Sequence, residues 1–205
     1  METIELNESG LSSDERKEIE EQEIRKKTAK NVLWVGILSI IMLFAGLTSA
    51  YIVRQAEGQW LVFDVPNAFY YSTIFILLSS CGLIWANRSA KIDNNSGVKI
   101  GLLSTFVLGL LFTIFQFQGW GQLMDQGVFF AGKESNAAGS FMYVITGVHL
   151  AHLFAGFLSL IYTFARSVQG KYNSTGKLGL ELCSLYWHFL GLLWVYLFLF
   201  LMYIR

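Results

Sequence analysis

The chain has 205 residues, of which 54% are hydrophobic and only 15% charged, whereas soluble domains carry roughly 45–50% apolar and about 25% charged residues. Fifteen basic and fifteen acidic residues cancel, so the net charge gives no indication of nucleic-acid binding. The two cysteines, Cys81 and Cys183, lie in apolar runs and exclude a disulfide framework, and the composition as a whole predicts a membrane protein.

Residues 1–30 are the first predicted element, a cytoplasmic leader that is disordered at first and then helical. Nine of the fifteen acids lie in its first 23 residues. Ser12 followed by Glu15 fits a capping box at a helix start, and Glu23 with Lys27 forms a favourable i,i+4 pair. We expect a solvated segment here, and a docking role is the less favoured alternative.

Residues 31–205 contain five apolar stretches that are long enough to cross a membrane. A hydrocarbon core about 30 Å thick needs about 20 residues at a rise of about 1.5 Å each. The predicted spans are residues 31–53, 66–86, 100–118, 139–165 and 179–203. The sequence therefore predicts an all-α integral membrane bundle of five transmembrane helices.

The basic residues indicate how this bundle is oriented. Twelve Lys and Arg residues lie in the leader and in the second and fourth connections, against three on the other side. The positive-inside rule then places the N-terminus in the cytoplasm and the C-terminus outside. The third connection, residues 119–138, falls outside, and we expect its Trp120 to lie at headgroup level.

Small residues predict the faces on which the helices pack, because close backbone approach drives association in lipid. The first span carries Gly46 and Ala50 as a small-xxx-small pair. On the fourth span, a ridge of small residues recurs every four positions: Gly147, Ala151, Ala155 and Ser159. Large residues elsewhere on the fourth span, such as Leu153 and Phe157, are expected to face lipid.

Polar residues inside the spans are the candidate functional groups, since each needs a partner in lipid. Thr113 and Gln116 lie on one stripe of the third span and are interpreted as packing residues. Glu181 is the only acid within a predicted span. It lies two residues from the predicted helix start, where a carboxylate is favoured by the helix dipole. A capping or interhelical bond is therefore expected of Glu181, with proton chemistry as the lesser alternative.

The three histidines, His149, His152 and His188, all lie inside predicted spans. Imidazole is a common axial ligand in helical bundles, so one haem between His149 and His188 is an open alternative. The sequence has no H-E-x-x-H pattern and no CxxC pair, which disfavours zinc. We expect the rings to hydrogen-bond across helices, to a lipid headgroup or to a partner subunit, with no metal site and no catalytic residue in this chain.

Four segments together resemble subunit III of the haem-copper oxidases. In the fifth span, Glu181 is followed after four residues by the YWHF of residues 186–189, as in the last helix of that family. Residues 146–152 are similar to the family's TGxHxxH helix, and residues 108–113 to the helix preceding it. Residues 42–46 resemble its MFFAG stretch. One such motif is weak, whereas four in the family's order are specific.

The chain also departs from that family in ways that limit what is carried over. Many members have seven spans, and five spans are typical of shorter bacterial forms. Ile40 stands where a buried glutamate often precedes MFFAG, and Gly191 stands where an aspartate often follows YWHF. The roles of those two acids in the family are therefore not expected here.

The resemblance implies a non-catalytic subunit of a respiratory oxidase, which reduces oxygen to water and pumps protons. Haems and copper would belong to partner subunits I and II, with no cofactor in this chain except bound phospholipids. The implied role is to stabilise the catalytic subunit, bind lipids and support proton uptake in the bacterial cytoplasmic (inner) membrane. A quinol oxidase subunit III and a stand-alone b-type cytochrome remain alternatives. The residues assigned to structural, lipid or subunit contacts are Glu181, His188, His149, His152, Tyr186, Trp187, Thr113 and Gln116.

Overall fold

The computed structural model describes residues 13–58, 60, 63–132, 136–170 and 176–204, and in these ranges the chain is helical without strands. The helices of the described ranges are α1 (Ser13–Ala56), α2 (Asn67–Lys91), α3 (Asn95–Asp125), α4 (Ala137–Val168) and α5 (Leu178–Tyr203). Each contains a stretch long and apolar enough to cross a membrane. This confirms the prediction of an all-α protein with five transmembrane helices.

The helix starts follow from local sequence. Pro66 precedes the first residue of α2, a position where its missing N–H costs nothing. Asn94 caps α3, since its side chain accepts a hydrogen bond from the Gly97 N–H at 3.0 Å. Asn136 caps α4 in the same way, accepting from the Ala138 N–H at 2.9 Å. These caps satisfy backbone donors that the first helical turn leaves without partners.

The described residues up to Ser39 form one compact unit, and those from Ile40 onward form a second. In the first unit, the exposed side chains of Glu23 and Lys27 lie 3.7 Å apart, which confirms the predicted i,i+4 pair. The predicted capping box lies outside the described residues, because Ser12 and the side chain of Glu15 are not among them.

In the second unit, α2 and α3 approach so closely that their backbones nearly touch. A Cβ atom built on Gly101 would lie 2.7 Å from the carbonyl oxygen of Gly82, and one built on Gly82 would lie 2.7 Å from the hydroxyl of Thr105. The Thr105 hydroxyl in turn donates a hydrogen bond across the helices to the Ser79 carbonyl at 3.1 Å. Small residues thus act here as transmembrane helix contacts commonly do.

The part of α1 that follows Ile40 contacts the bundle mainly through long aromatic side chains. Phe44 and Tyr51 are each only 1% exposed and lie seven residues apart on one helix face. The Tyr51 ring meets the edges of Trp60 and Phe200 at centroid distances of 4.7 and 5.3 Å. Most of the remaining circumference of this helix is exposed.

The faces of α4 differ from those predicted. Leu153 and Phe157 are buried, whereas they were expected to face lipid, and Ala151 and Ala155 are exposed. For Phe157 the reason is Trp187 of α5, whose indole its ring meets at a centroid distance of 5.4 Å. Two of the four residues of the predicted small ridge, Ala151 and Ala155, therefore lie on the outside of this chain.

Trp120 also differs from its predicted place. It belongs to α3, which continues to Asp125, and it is half-buried rather than lying in a surface loop. Its indole N–H donates to the hydroxyl of Thr146 on α4 at 3.0 Å. The helix therefore extends past the predicted span end at residue 118 and bonds to its neighbour there.

Candidate functional site: a buried aromatic and histidine cluster

Trp187 lies in a slot between three helices. A Cβ atom built on Gly109 of α3 would lie 2.8 Å from the indole ring, and one built on Gly156 of α4 would lie 3.3 Å from it. The indole N–H donates to the hydroxyl of Ser79 on α2 at 2.9 Å. Trp187 is fully buried, so one side chain of α5 joins α2, α3 and α4 by shape and by a hydrogen bond.

Two turns further along α5, Trp194 repeats this arrangement. Its indole N–H donates to the hydroxyl of Thr73 on α2 at 2.9 Å. Its ring meets the edges of Phe69 and Phe112 at centroid distances of 5.7 and 5.2 Å, and it lies 5.2 Å from the ring of His149. Edge-to-face pairs of this kind add to the stabilisation from burial.

His149 lies at the centre of this cluster and is fully buried. Phe44, Phe112 and Trp194 surround its ring at centroid distances of 6.4, 6.0 and 5.2 Å. Neither ring nitrogen has a hydrogen-bond partner among the described residues. Aromatic rings thus occupy three sides of the His149 imidazole.

His152 lies one turn further along α4 and is half-buried. Its Nδ1 lies 2.8 Å from the Val148 carbonyl oxygen, which makes Nδ1 the protonated nitrogen because a carbonyl only accepts. Tyr186 of α5 donates its hydroxyl to the carbonyl of His152 at 3.1 Å. Phe44 contacts the His152 ring at a centroid distance of 5.9 Å. The Tyr186 hydrogen bond therefore joins α5 to α4 beside the cluster, whereas the His152 ring bonds within α4.

Gln116 and Thr113 occupy the interior side of α3. The Gln116 side-chain N–H donates to the Ser72 hydroxyl on α2 at 2.9 Å, while its Oε1 is buried without a partner among the described residues. The Thr113 hydroxyl donates within its own helix to the Gly109 carbonyl at 3.1 Å. Gln116 therefore forms a hydrogen bond between helices, whereas the Thr113 hydroxyl bonds within its own helix.

Glu181 lies in the first turn of α5 and is half-buried. Its carboxylate lies 3.6 Å from the ammonium group of Lys177, four residues earlier. This is the position where a helix dipole favours a negative charge. His188, also on α5, is half-buried. The geometry brings His149, His152, Tyr186 and Trp194 together, and it places Glu181 at the helix end.

The predicted packing residues divide into two groups. Gly147 faces Trp120 at 3.9 Å, and Ser159 interacts with the thiol of Cys183 on α5. The others are exposed on the outside of this chain: Ala151, Ala155, Gly46 and Ala50. A Cβ atom added at Gly46 would meet nothing within 4 Å. An alanine would therefore fit at Gly46 without displacing any described atom of this chain.

Among the described residues, no three His, Cys, Asp and Glu side chains come close enough together to hold a metal ion. The cluster supplies shape, aromatic contacts around His149 and hydrogen bonds between helices. It can fix four helices relative to one another.

Sequence reasoning missed the hydroxyl partners on α2, which are Ser72, Thr73 and Ser79. A signal for two of them is present: Ser72, Ser79 and Ala86 recur every seven residues, which places small residues along one helix face. It also missed Gly82 as the contact of Gly101, because a single glycine in an apolar helix does not identify its partner.

Comparison with known proteins gives one family. The model for the family described as "Cytochrome c oxidase subunit III" matches residues 62–205. The chain is 28% identical over 178 residues to the "Probable cytochrome c oxidase subunit 3" of Mycobacterium leprae (strain TN), covering 85% of this chain and 86% of that protein.

Two further relatives extend the likeness to other bacteria. The chain is 30% identical over 171 residues to the "Cytochrome c oxidase subunit 3" of Thermostichus vulcanus, covering 81% of this chain and 82% of that protein. It is 26% identical over 196 residues to the protein of the same name from Corynebacterium diphtheriae, covering 90% of this chain and 94% of that protein. The similarity thus extends over most of both chains.

Proposed function

Because the chain belongs to the cytochrome c oxidase subunit III family, we propose that it is the non-catalytic subunit III of a respiratory complex that oxidises cytochrome c and reduces oxygen to water. Haems and copper are held by the partner subunits I and II, and the complex pumps protons across the bacterial cytoplasmic membrane. The N-terminus of this chain lies in the cytoplasm. We extend the proposal to proton uptake and durable turnover on the family resemblance alone.

The observation that carries the proposal is the bonding of the interior. Trp187 and Trp194 each donate to a hydroxyl on α2 at 2.9 Å, and Gln116 does the same at 2.9 Å. These bonds, together with the rings around His149, join four helices into a fixed block. A subunit that holds a partner in place needs such rigidity, and it needs no redox centre of its own.

The exposed small residues support a docking role. Ala151 and Ala155 of α4, and Gly46 and Ala50 of α1, are exposed on this chain. In lipid, small residues let a second helix approach closely and gain dispersion contacts. We assign these two faces to contacts with the catalytic subunit.

An apolar groove between α1 and α5 supports the binding of lipids. It has a volume of about 330 Å³, and Ile41, Ala45, Phe189 and Leu192 line it. Its lining offers an acyl chain contacts with side chains on two helices. We assign this groove to a phospholipid chain that is retained with the complex.

Purification of the chain with its partners tests the proposal. A tagged copy is isolated from native membranes in mild detergent, and haem and copper are quantified per chain before and after the partners are removed. We expect both to arrive with a large partner and to leave with it. A stripped chain that retains haem would overturn the assignment.

Two matched variants test the docking face. Ala155→Phe enlarges an exposed small residue on α4, and Cys81→Phe enlarges an exposed small residue on α2. We expect Ala155→Phe to reduce the captured haem and copper and Cys81→Phe to leave them unchanged. If instead Cys81→Phe reduced the captured haem and copper and Ala155→Phe did not, the docking face would lie on α2, and the subunit assignment would still hold.

A further inference from the structure

Four basic residues lie on α1 just before its apolar stretch begins at residue 31. They are Arg25, Lys26, Lys27 and Lys30, and all are exposed; we call them the basic collar. The chain carries no acid between Glu23 and Glu57, so no carboxylate of this chain segment offsets the collar on its membrane side. The collar precedes residues 62–205, the range that the family model matches.

Helix geometry places the collar within reach of lipid headgroups. At a rise of about 1.5 Å per residue, its members lie roughly 2 to 9 Å above the start of the apolar stretch, and at 100° per residue they cover about 200° of the circumference. Trp34, which is 57% exposed, follows Lys30 by one turn. Tryptophan is enriched at the boundary between headgroups and hydrocarbon.

Electrostatic range distinguishes the collar from the other cations of the leader. At physiological salt the Debye length is about 8 Å. The collar residues lie within about 9 Å of residue 31, where the apolar stretch begins. Arg16 and Lys17 are exposed on the same helix, but they lie about 20 Å from residue 31 by the same rise. They are therefore screened from headgroup charge, whereas the collar is not.

The acids of the leader lie on the side of the collar that is farther from the membrane. Glu20, Glu21 and Glu23 are exposed there, and an anionic surface repels them. Lys27 of the collar pairs with Glu23 at 3.7 Å, but both side chains are exposed, and such pairs are weak. The charge pattern thus favours negative ligands at the collar and away from the distal helix.

We propose that the basic collar is a binding site for anionic phospholipid headgroups. Clusters of four or more cations beside a transmembrane helix recognise such lipids, with about a fivefold gain in affinity per cation near the surface. Arg25 can bind a phosphate through two parallel hydrogen bonds, and the lysines act as point charges. The site is independent of the oxidase assignment.

Native mass spectrometry of the full chain tests this proposal, with phosphatidylglycerol and phosphatidylcholine added singly. Lys26→Gln with Lys30→Gln removes two collar cations, and Arg16→Gln with Lys17→Gln removes two distal ones. We expect the first pair to weaken phosphatidylglycerol binding by up to about 25-fold and the second by less than about twofold. Lys26→Arg with Lys30→Arg should retain the wild-type affinity.

The salt dependence provides a second readout. Raising the ionic strength from about 0.02 to 0.5 M should reduce the preference for phosphatidylglycerol over phosphatidylcholine in the wild type. Equal losses from the two glutamine pairs, or no preference between the lipids at low salt, would overturn the proposal. In that case the collar serves only to orient the helix or to meet acidic groups on another subunit.

Discussion

Replacing Gly101 by alanine should loosen the contact between α2 and α3. The new Cβ atom would lie 2.7 Å from the Gly82 carbonyl oxygen and 2.9 Å from the backbone nitrogen of Ala86, where ordinary contacts begin at 3.4 Å. The nearest atoms belong to the backbone of α2, which no rotamer change can move. The two helices must therefore separate by several tenths of an ångström.

The expected cost follows from overpacking of a close helix contact. Such insertions cost about 1–3 kcal/mol, while alanine gains about 0.5–1 kcal/mol over glycine in a helix interior. Gly121→Ala on the same helix is the matched control, because a Cβ atom there meets nothing within 4 Å. The difference between the two variants cancels the helix-propensity gain and measures the steric cost alone.

Thermal unfolding of the purified chain measures this difference. Cys183 is buried, so its thiol reacts with a fluorogenic reagent only when the bundle opens, and a Cys81→Ser background removes the exposed thiol. We expect Gly101→Ala to unfold several degrees below Gly121→Ala, as about 1–3 kcal/mol implies for a chain of this size. Equal transition temperatures would refute the close contact between α2 and α3.

Three further substitutions test the cluster in the same assay and in the purified complex. Ser79→Ala removes the acceptor of the Trp187 indole and should destabilise the chain by about 1 kcal/mol, whereas Ser80→Ala next to it should be neutral; equal effects would contradict the hydrogen bond. His149→Phe should leave the free energy of unfolding within about 1 kcal/mol of wild type or raise it. The reason is that neither imidazole nitrogen has a partner among the described residues, and an apolar ring removes that penalty. A loss of several kcal/mol would show that those nitrogens are bonded. His188→Leu should weaken assembly or sustained turnover of the captured complex and leave its haem spectrum unchanged, and a lost haem band would contradict the non-catalytic assignment.

Sequence patterns did not predict which face of α4 packs against the cluster. The prediction that Leu153 and Phe157 face lipid is wrong, since both are buried. Both faces of a transmembrane helix are apolar, so hydropathy does not distinguish a packing face from a lipid face. Which face packs depends on Trp187, whose indole fits against Gly109 and Gly156 on two other helices.

The roles assigned to the histidines, Glu181 and the small ridges stay predictions. Their positions are now known: His149 is enclosed by aromatic rings, Glu181 lies beside Lys177, and Ala155 is exposed. The sequence located these residues because polar and small residues are rare in apolar spans.

The sequence by itself determined the number and approximate position of the spans and the family, because bilayer thickness and backbone hydrogen bonding act on each helix separately. It also located the polar groups that need partners. Only the tertiary structure decided which partners they take, such as Ser79 for Trp187 and Ser72 for Gln116. Those pairs join residues far apart in the chain, and their choice depends on the fit of side chains between helices, which no periodicity within one helix encodes.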